Sequence, residues 1–267
     1  MTRNNYLFAA LCLLAGGLAS CSSNIDDELP ANDTWTLNVM ATKSDTPATR
    51  ALSYDGSKIT ATWKKDETVD VRANLESVSQ GKLYAQSNGV TVNLRGTITG
   101  TGFSATAPDE SRLSLWFPDY RGSNAYLDQN GTLENIATNF DYAYATVKVT
   151  SVDASNHVLT TTNATFVNAQ AIVKFTLYDN NGTPEVTTDD TPISVSELHV
   201  YNGSTEIADA TLSSANNVVW MAIPEVSDVT INLTATVGGN TYNYTKTGVT
   251  FAKGHFYPIT VKMTLVP

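Results

Sequence analysis

The chain has 267 residues, with 26 acidic against 16 basic, a formal charge of −10, and 42% hydrophobic but only 16% charged residues. That length accommodates one large or two medium domains, each able to bury its own core. The acidic balance argues against nucleic acid, which needs clustered Lys and Arg for its phosphates, and with Cys12 and Cys21 as the only cysteines the body of the chain has no disulfide or cysteine metal site.

Residues 1–20 read as a secretory signal. Arg3 supplies the positive charge, Tyr6 to Leu18 the apolar stretch, and Ala19-Ser20 the small residues before a cut. The apolar run is shorter than the roughly 20 residues that span a bilayer. Leu18-Ala19-Ser20-Cys21 resembles the lipobox of bacterial lipoproteins, which implies that Cys21 is lipidated and becomes the first residue. The plain alternative is an ordinary cleaved signal with an incidental cysteine. Residues 21–33 form an acidic linker, in which Asp26-Asp27-Glu28 follow Ser22-Ser23. The linker resembles tails that send lipoproteins to the outer face of the outer membrane, although a short acidic linker is also what a solvated spacer looks like. Several acyl chains would anchor the chain firmly.

From residue 34 onwards the pattern is β. Thr34 to Val39 places Trp35, Leu37 and Val39 on one face of a strand. Asn-Gly pairs at Asn88-Gly89, Asn130-Gly131 and Asn202-Gly203 lie between similar runs and predict tight turns. Gly96 to Phe103 echoes a glycine-rich phosphate loop but lacks the following helix and lysine, so it reads as a turn between strands. Ser151 to Asn156 is polar and turn-rich, and divides the chain into residues 34–152 and 153–267, each long enough for a seven-strand sandwich. Asp179 to Pro192 reads as a long loop. Ile231, Leu233, Ala235 and Val237 alternate, Gly238-Gly239 follow, and Tyr242 and Tyr244 lie on the return, which is a hairpin. No convincing helical stripe is present. The predicted class is all-β, with two antiparallel β-sandwich domains in tandem.

The residue types that carry chemistry are scattered. His157, His199 and His255 show no metal-ligand spacing, and no nucleophile elbow is present. Asp179, Asp189 and Asp190, with Asn181 and Glu185, could offer hard oxygens to calcium from one loop. Their spacing does not match a twelve-residue calcium loop, and a solvated loop is the default. Trp35, Trp63, Trp116 and Trp220 lie in strand-like segments, where core packing is the first reading and sugar stacking the second. No cofactor is expected.

Set in order, these segments resemble the fimbrillin family, the lipoprotein-derived pilins and surface adhesins of gut and oral bacteria. The lipobox is followed by a strand and then by Thr49-Arg50-Ala51. Trp63 to Val71 resembles the family's tryptophan-led strand entry, and Leu113 to Tyr120 its aromatic-proline segment. Phe140 to Leu177 resembles the passage between domains, and Lys253 to Met263 the final strand. The resemblance covers nearly all of the chain after the signal. It implies two transthyretin-like sandwiches and assembly by strand exchange with other pilin subunits.

On that implication Trp35, Leu37 and Val39 belong to a displaced strand. An arginine-specific protease cuts after Arg50 in a polar, Pro-bearing loop, so that a mature subunit begins at Ala51. The expected location is the outer membrane surface through lipid on Cys21, and a fimbrium after processing. Shaft pilins of the family are expected to donate a C-terminal segment. Here the last strand, Phe256 to Val266, alternates Tyr257, Ile259, Val261 and Met263 as a strand of its own sandwich would, and this points to a tip or accessory subunit. The alternative is a permanently anchored glycan-binding lipoprotein using exposed Trp and Tyr. An enzyme, a glycosidase at best, ranks last and would need two facing carboxylates in a cleft.

Overall fold

The computed structural model describes residues 34–43, 52–73, 78–106, 111–119, 126–186 and 188–267. Cys21, Arg50 and Ala51 lie outside the described residues. Strand β1 (Thr34–Lys43) is followed by a short hairpin, β2 (Ser53–Tyr54) and β3 (Ile59–Thr60). Then come β4 (Thr68–Ala73), β5 (Gly81–Ala85), β6 (Thr91–Thr99), β7 (Arg112–Phe117), β8 (Ala143–Asp153), β9 (Val158–Thr161) and β10 (Ala164–Asn168). A helical turn over Leu133–Phe140 precedes β8, opened by Thr132, whose hydroxyl accepts the Asn135 N–H at 3.1 Å.

The first sheet runs β10-β1-β6-β5-β4-β7-β8-β9, and β8 also pairs with β10 while β1 also pairs with β9. The sheet therefore closes on itself. Its inward faces form one core of Trp35, Leu37, Val39, Trp63, Val71, Leu94, Leu115, Phe117, Val147 and Phe166 among others. β-branched and aromatic residues at alternating positions suit a pleated surface with one dry face, which is why the period-two pattern was readable.

The second sheet begins at β11 (Gln170–Asp179) and continues through β12 (Thr191–Pro192), β13 (Val195–Asn202), β14 (Thr205–Asn216), β15 (Val218–Pro224), β16 (Val226–Val237), β17 (Asn240–Phe251) and β18 (Phe256–Leu265). Its order is β12-β11-β18-β17-β16-β13-β14, with β15 on β11. Gly238 and Gly239 both have positive φ (56° and 89°) and turn the β16–β17 hairpin, as the sequence predicts. Asn202-Gly203 likewise closes β13–β14, whereas Asn130-Gly131 leads into the helical turn and not into a hairpin.

Three features differ from the sequence-based expectation. First, the sandwiches are not wholly antiparallel, since β1 runs parallel to β9 and β10, and β11 parallel to β18. Second, the chain changes sheets between Asn168 and Gln170, not at 152/153. The turn at Asp153–His157 is real, its Asp153 carboxylate accepting the N–H groups of Ser155 and Asn156, but it closes the β8–β9 hairpin inside the first sheet. Third, two segments of the first half pack on the second core. These are the β2–β3 hairpin through Tyr54 and Ile59, and the stretch holding Tyr126, Ile136, Phe140 and Tyr142. Gln129 fastens that stretch by donating to the Ala222 carbonyl (2.9 Å) and accepting the Ala222 N–H (2.8 Å).

Candidate functional site

The segment with the most unusual position is β1. It is the first described strand, yet it sits inside the closed sheet with partners on both sides. It runs antiparallel to β6 over nine positions, from Thr34 opposite Thr99 to Thr42 opposite Thr91. On the other side Thr36–Asn38 pair with β9 and Ala41–Lys43 with β10, both parallel. Trp35, Leu37, Val39 and Ala41 all point into the core and are buried, so the face expected for the displaced strand is the face the fold hides. Leu37 lies opposite Gly96 and Ala41 opposite Val92, whereas Trp35 faces Ile98 and Val39 faces Leu94. Gly96 has no room for a side chain, because a Cβ would come within 2.0 Å of the Lys82 carbonyl oxygen.

The two ends of this slot differ in chemistry. At one end the Trp35 indole N–H donates to the Gly100 carbonyl at 3.1 Å, and its ring meets Phe103 edge-on and His157 at 5.2 Å. The glycine-rich stretch Gly96–Phe103 is thus the end of β6 and the loop that holds Trp35. At the other end Lys43 continues the inward phase of β1 and is buried. Its Nζ donates to Glu67 Oε2 at 3.1 Å and to the Thr62 carbonyl at 3.2 Å. It also lies 4.0 Å from the centre of the Trp63 ring and 4.6 Å from that of Phe117. Trp63 is fully buried and clamped edge-on by Phe117 and Phe166.

Lys43 and Glu67 were missed by sequence reasoning. The available signal was that Lys43 falls in phase with Trp35, Leu37, Val39 and Ala41, at the position where an apolar residue would be expected.

The remaining predicted sites are spread through the fold. Of the tryptophans, Trp35 and Trp63 are core residues, while Trp116 and Trp220 are half-buried on the outer faces. Trp220 stacks on Phe256 (5.6 Å, 12° between planes), and Tyr54 of the β2–β3 hairpin meets both rings edge-on. Lys174 Nζ lies 4.9 Å from the Tyr54 ring. The flat pair is thereby engaged by the protein's own side chains. The acidic residues Asp179, Asp189 and Asp190 point to separate partners: Asp179 accepts from Tyr242 and the Asn181 N–H, Asp189 from Thr183, and Asp190 pairs with Lys262 at 2.7 Å. Among the described residues no group of three His, Cys, Asp or Glu could hold a metal ion. His199 pairs with Glu206 at 2.5 Å, away from the other two histidines. Arg72 is buried in β4 with its Nε 2.7 Å from Asp70.

No protein-family model matches the chain, and no curated protein matches it. Among solved structures it is similar to a fimbrial protein of Bacteroides ovatus, with 9% identity over 88% of this chain and 50% of that one, at a TM-score of 0.38. It is also similar to a fimbrial assembly protein of Parabacteroides distasonis, with 13% identity over 88% and 99% of the two chains and a TM-score of 0.39. A shaft pilin of Lactobacillus rhamnosus aligns at 9% identity over 89% of this chain and 99% of its own, with a TM-score of 0.35.

Proposed function

We propose that this chain is a fimbrial subunit displayed at the cell surface, in which β1 is a removable strand whose place is taken by a strand of another subunit. The observation that carries this reading is the position of β1. It comes first among the described strands, is joined to the body through residues 44–51, and supplies a row of fully enclosed side chains to a core that is otherwise built by later residues. Taking it away exposes the hydrogen-bonding edges of β6 and of β9 and β10 together with an apolar slot. Each large side chain reburied there contributes about 1.5–3 kcal/mol, which drives uptake of a replacement.

On this reading the precursor reaches the outer membrane with lipid on Cys21, and a protease cut after Arg50 releases a subunit that begins at Ala51 for assembly into a fimbrium. The placement of Arg72 favours Arg50 as the target, since the next arginine along the chain is buried and ion-paired in β4. β18 lies between β11 and β17 and pairs with β11 over eight positions, which supports its staying in its own sheet and not serving as the donated strand. The second reading, a permanently anchored glycan-binding lipoprotein, draws on the Trp220–Phe256 stack, but Tyr54 and Lys174 already engage those rings.

The test is N-terminal sequencing of protein recovered from assembled surface polymer, together with the Arg50→Ala variant. A start at Ala51 and loss of polymer in the variant are expected. Polymer made of chains that still begin at a lipid-blocked Cys21 would overturn the reading.

A further inference from the structure

Glu67, we infer, makes the vacated β1 slot selective for an incoming strand that carries a lysine or arginine in phase with its apolar side chains, at the position Lys43 now occupies. The inference rests on the strand-exchange reading above and specifies the chemistry of the partner. The cation pocket around Lys43 is built from residues outside β1: the Thr62 carbonyl, the Glu67 carboxylate, and the rings of Trp63 and Phe117. All of them remain with the body of the chain when β1 leaves. Glu67 is also held in place independently of β1. A turn over Lys64–Glu67, with Asp66 at φ 69°, brings the Lys64 N–H to Glu67 Oε2 at 3.1 Å, while the Glu67 N–H donates to the Lys64 carbonyl at 3.1 Å.

A strand that is apolar along its whole inner face would seal this carboxylate in the core without a counter-charge, the costliest way to leave a buried ion pair. A strand with an ammonium at that point restores the pair and the contacts to the two rings. Glu67 Oε1 is buried and has no hydrogen-bond partner among the described residues. The planar fork of an arginine is suited to engage both oxygens, so arginine is accepted at least as readily as lysine.

The same geometry disfavours the strand a second copy would most simply offer. In β18 the buried side chains are Val261 and Met263, while Lys262 lies in the opposite phase and pairs with Asp190. Laid into the slot on its apolar face, β18 turns its lysine outward and leaves Glu67 uncompensated. β18 of a second copy is therefore a poor donor for this slot.

The experiment uses the full chain with a specific protease site placed in residues 44–51, nicked, and offered labelled peptides of the Thr34–Lys43 sequence. Three versions are compared: unaltered, Lys43→Met and Lys43→Arg. Displacement of the nicked segment is followed by fluorescence anisotropy. The Lys and Arg peptides are expected to bind at least ~100-fold more tightly than the Met peptide, the scale set by stranding one member of a buried pair. In a Glu67→Gln chain that preference should fall below about tenfold. Should Glu67→Gln not fold, the three peptides on the unaltered chain still decide the matter.

Equal binding of the Met and Lys peptides overturns the selectivity while leaving strand exchange intact. A preference that persists undiminished in Glu67→Gln removes Glu67 as its source. If none of the peptides displaces the nicked segment, the strand-exchange reading fails and this inference falls with it.

Discussion

Replacing Lys43 by Met in the intact chain separates what the Lys43–Glu67 pair does from what it costs. Both side chains are nearly sealed from water, at 2% and 6% exposure, so solvent screening does little to soften the change. Lys43→Met fits the volume but leaves Glu67 with only the Lys64 N–H on one oxygen and no partner among the described residues on the other. Breaking a buried pair in this way costs about 3–5 kcal/mol.

Glu67→Leu is the milder break, because the ammonium keeps the Thr62 carbonyl and two aromatic faces, each worth up to roughly 2 kcal/mol when desolvated. The double variant replaces the pair by apolar volume and should recover most of the loss, since such replacements are often neutral or stabilising. The expected order of stability is unaltered chain close to the double variant, then Glu67→Leu, then Lys43→Met. In urea, about 4 kcal/mol against a slope of roughly 2–3 kcal/mol/M lowers the midpoint of the Lys43→Met chain by between about 1 and 2 M. Intrinsic fluorescence reports the transition near the pair, since Trp63 lies against it. Additive losses in the double variant, or a Lys43→Met chain within about 0.5 kcal/mol of the original, would refute the claim that Glu67 depends on a cation from β1.

Leu37→Ala should destabilise the first sheet by about 2–5 kcal/mol, whereas Met40→Ala, outward on the same strand and 47% exposed, should stay within about 0.5 kcal/mol in the same urea titration. Tyr54→Ala removes the ring that meets Trp220 and Phe256, so limited proteolysis should cut the 52–60 segment faster while the amide exchange of β6 is unchanged. Deleting Lys262–Pro267 takes away the buried Met263 and should destabilise the isolated monomer; a truncated chain that melts normally but no longer joins a neighbour would instead mark β18 as a donor strand. Asp153 and Asp55 are both held down to about 2, the first chiefly by hydrogen bonds from Asn156 and Ser155 side chains, the second by the backbone N–H groups of Lys58 and Ser57. Their folded-state values lie below 3.8, so what they add to stability is present above pH 4 and disappears as pH falls towards 2. Carbon-detected NMR should show both carboxylates still ionised at pH 3.

The alternation of Trp35, Leu37 and Val39 was enough to place a half-buried strand, because period two survives in any sheet with one dry face. It did not reveal that the strand runs on to Lys43, since a lysine in the inward phase reads as the end of the pattern. Its partner Glu67 lies 24 residues further along, beyond a loop, and no local signal links them. The turn at Ser151–Asn156 shows the same limit. Asp, Ser and Asn cap a tight turn equally well whether it joins two domains or two strands of one sheet. The parallel pairing of β1 with β9 and β10, and the docking of Tyr54 on the second core, depend on contacts between segments far apart in the chain and leave no periodicity behind.

The closed circuit of the first sheet also bears on how such a chain travels. An open edge is a template on which any passing strand can grow, and molecules that carry one tend to clump. With β1 in place, β6 is paired on one side with β5 and on the other with β1, β9 lies between β8 and β1, and β10 pairs with β1 over Ala164–Phe166 and with β8 at Val167 and Asn168. The sheet therefore offers newcomers no seam along β6 and β9 while β1 stays, and opening it means parting two rows of hydrogen bonds at once. On the strand-exchange reading proposed above, stickiness would be withheld during transit and would appear in a single step once β1 is lost.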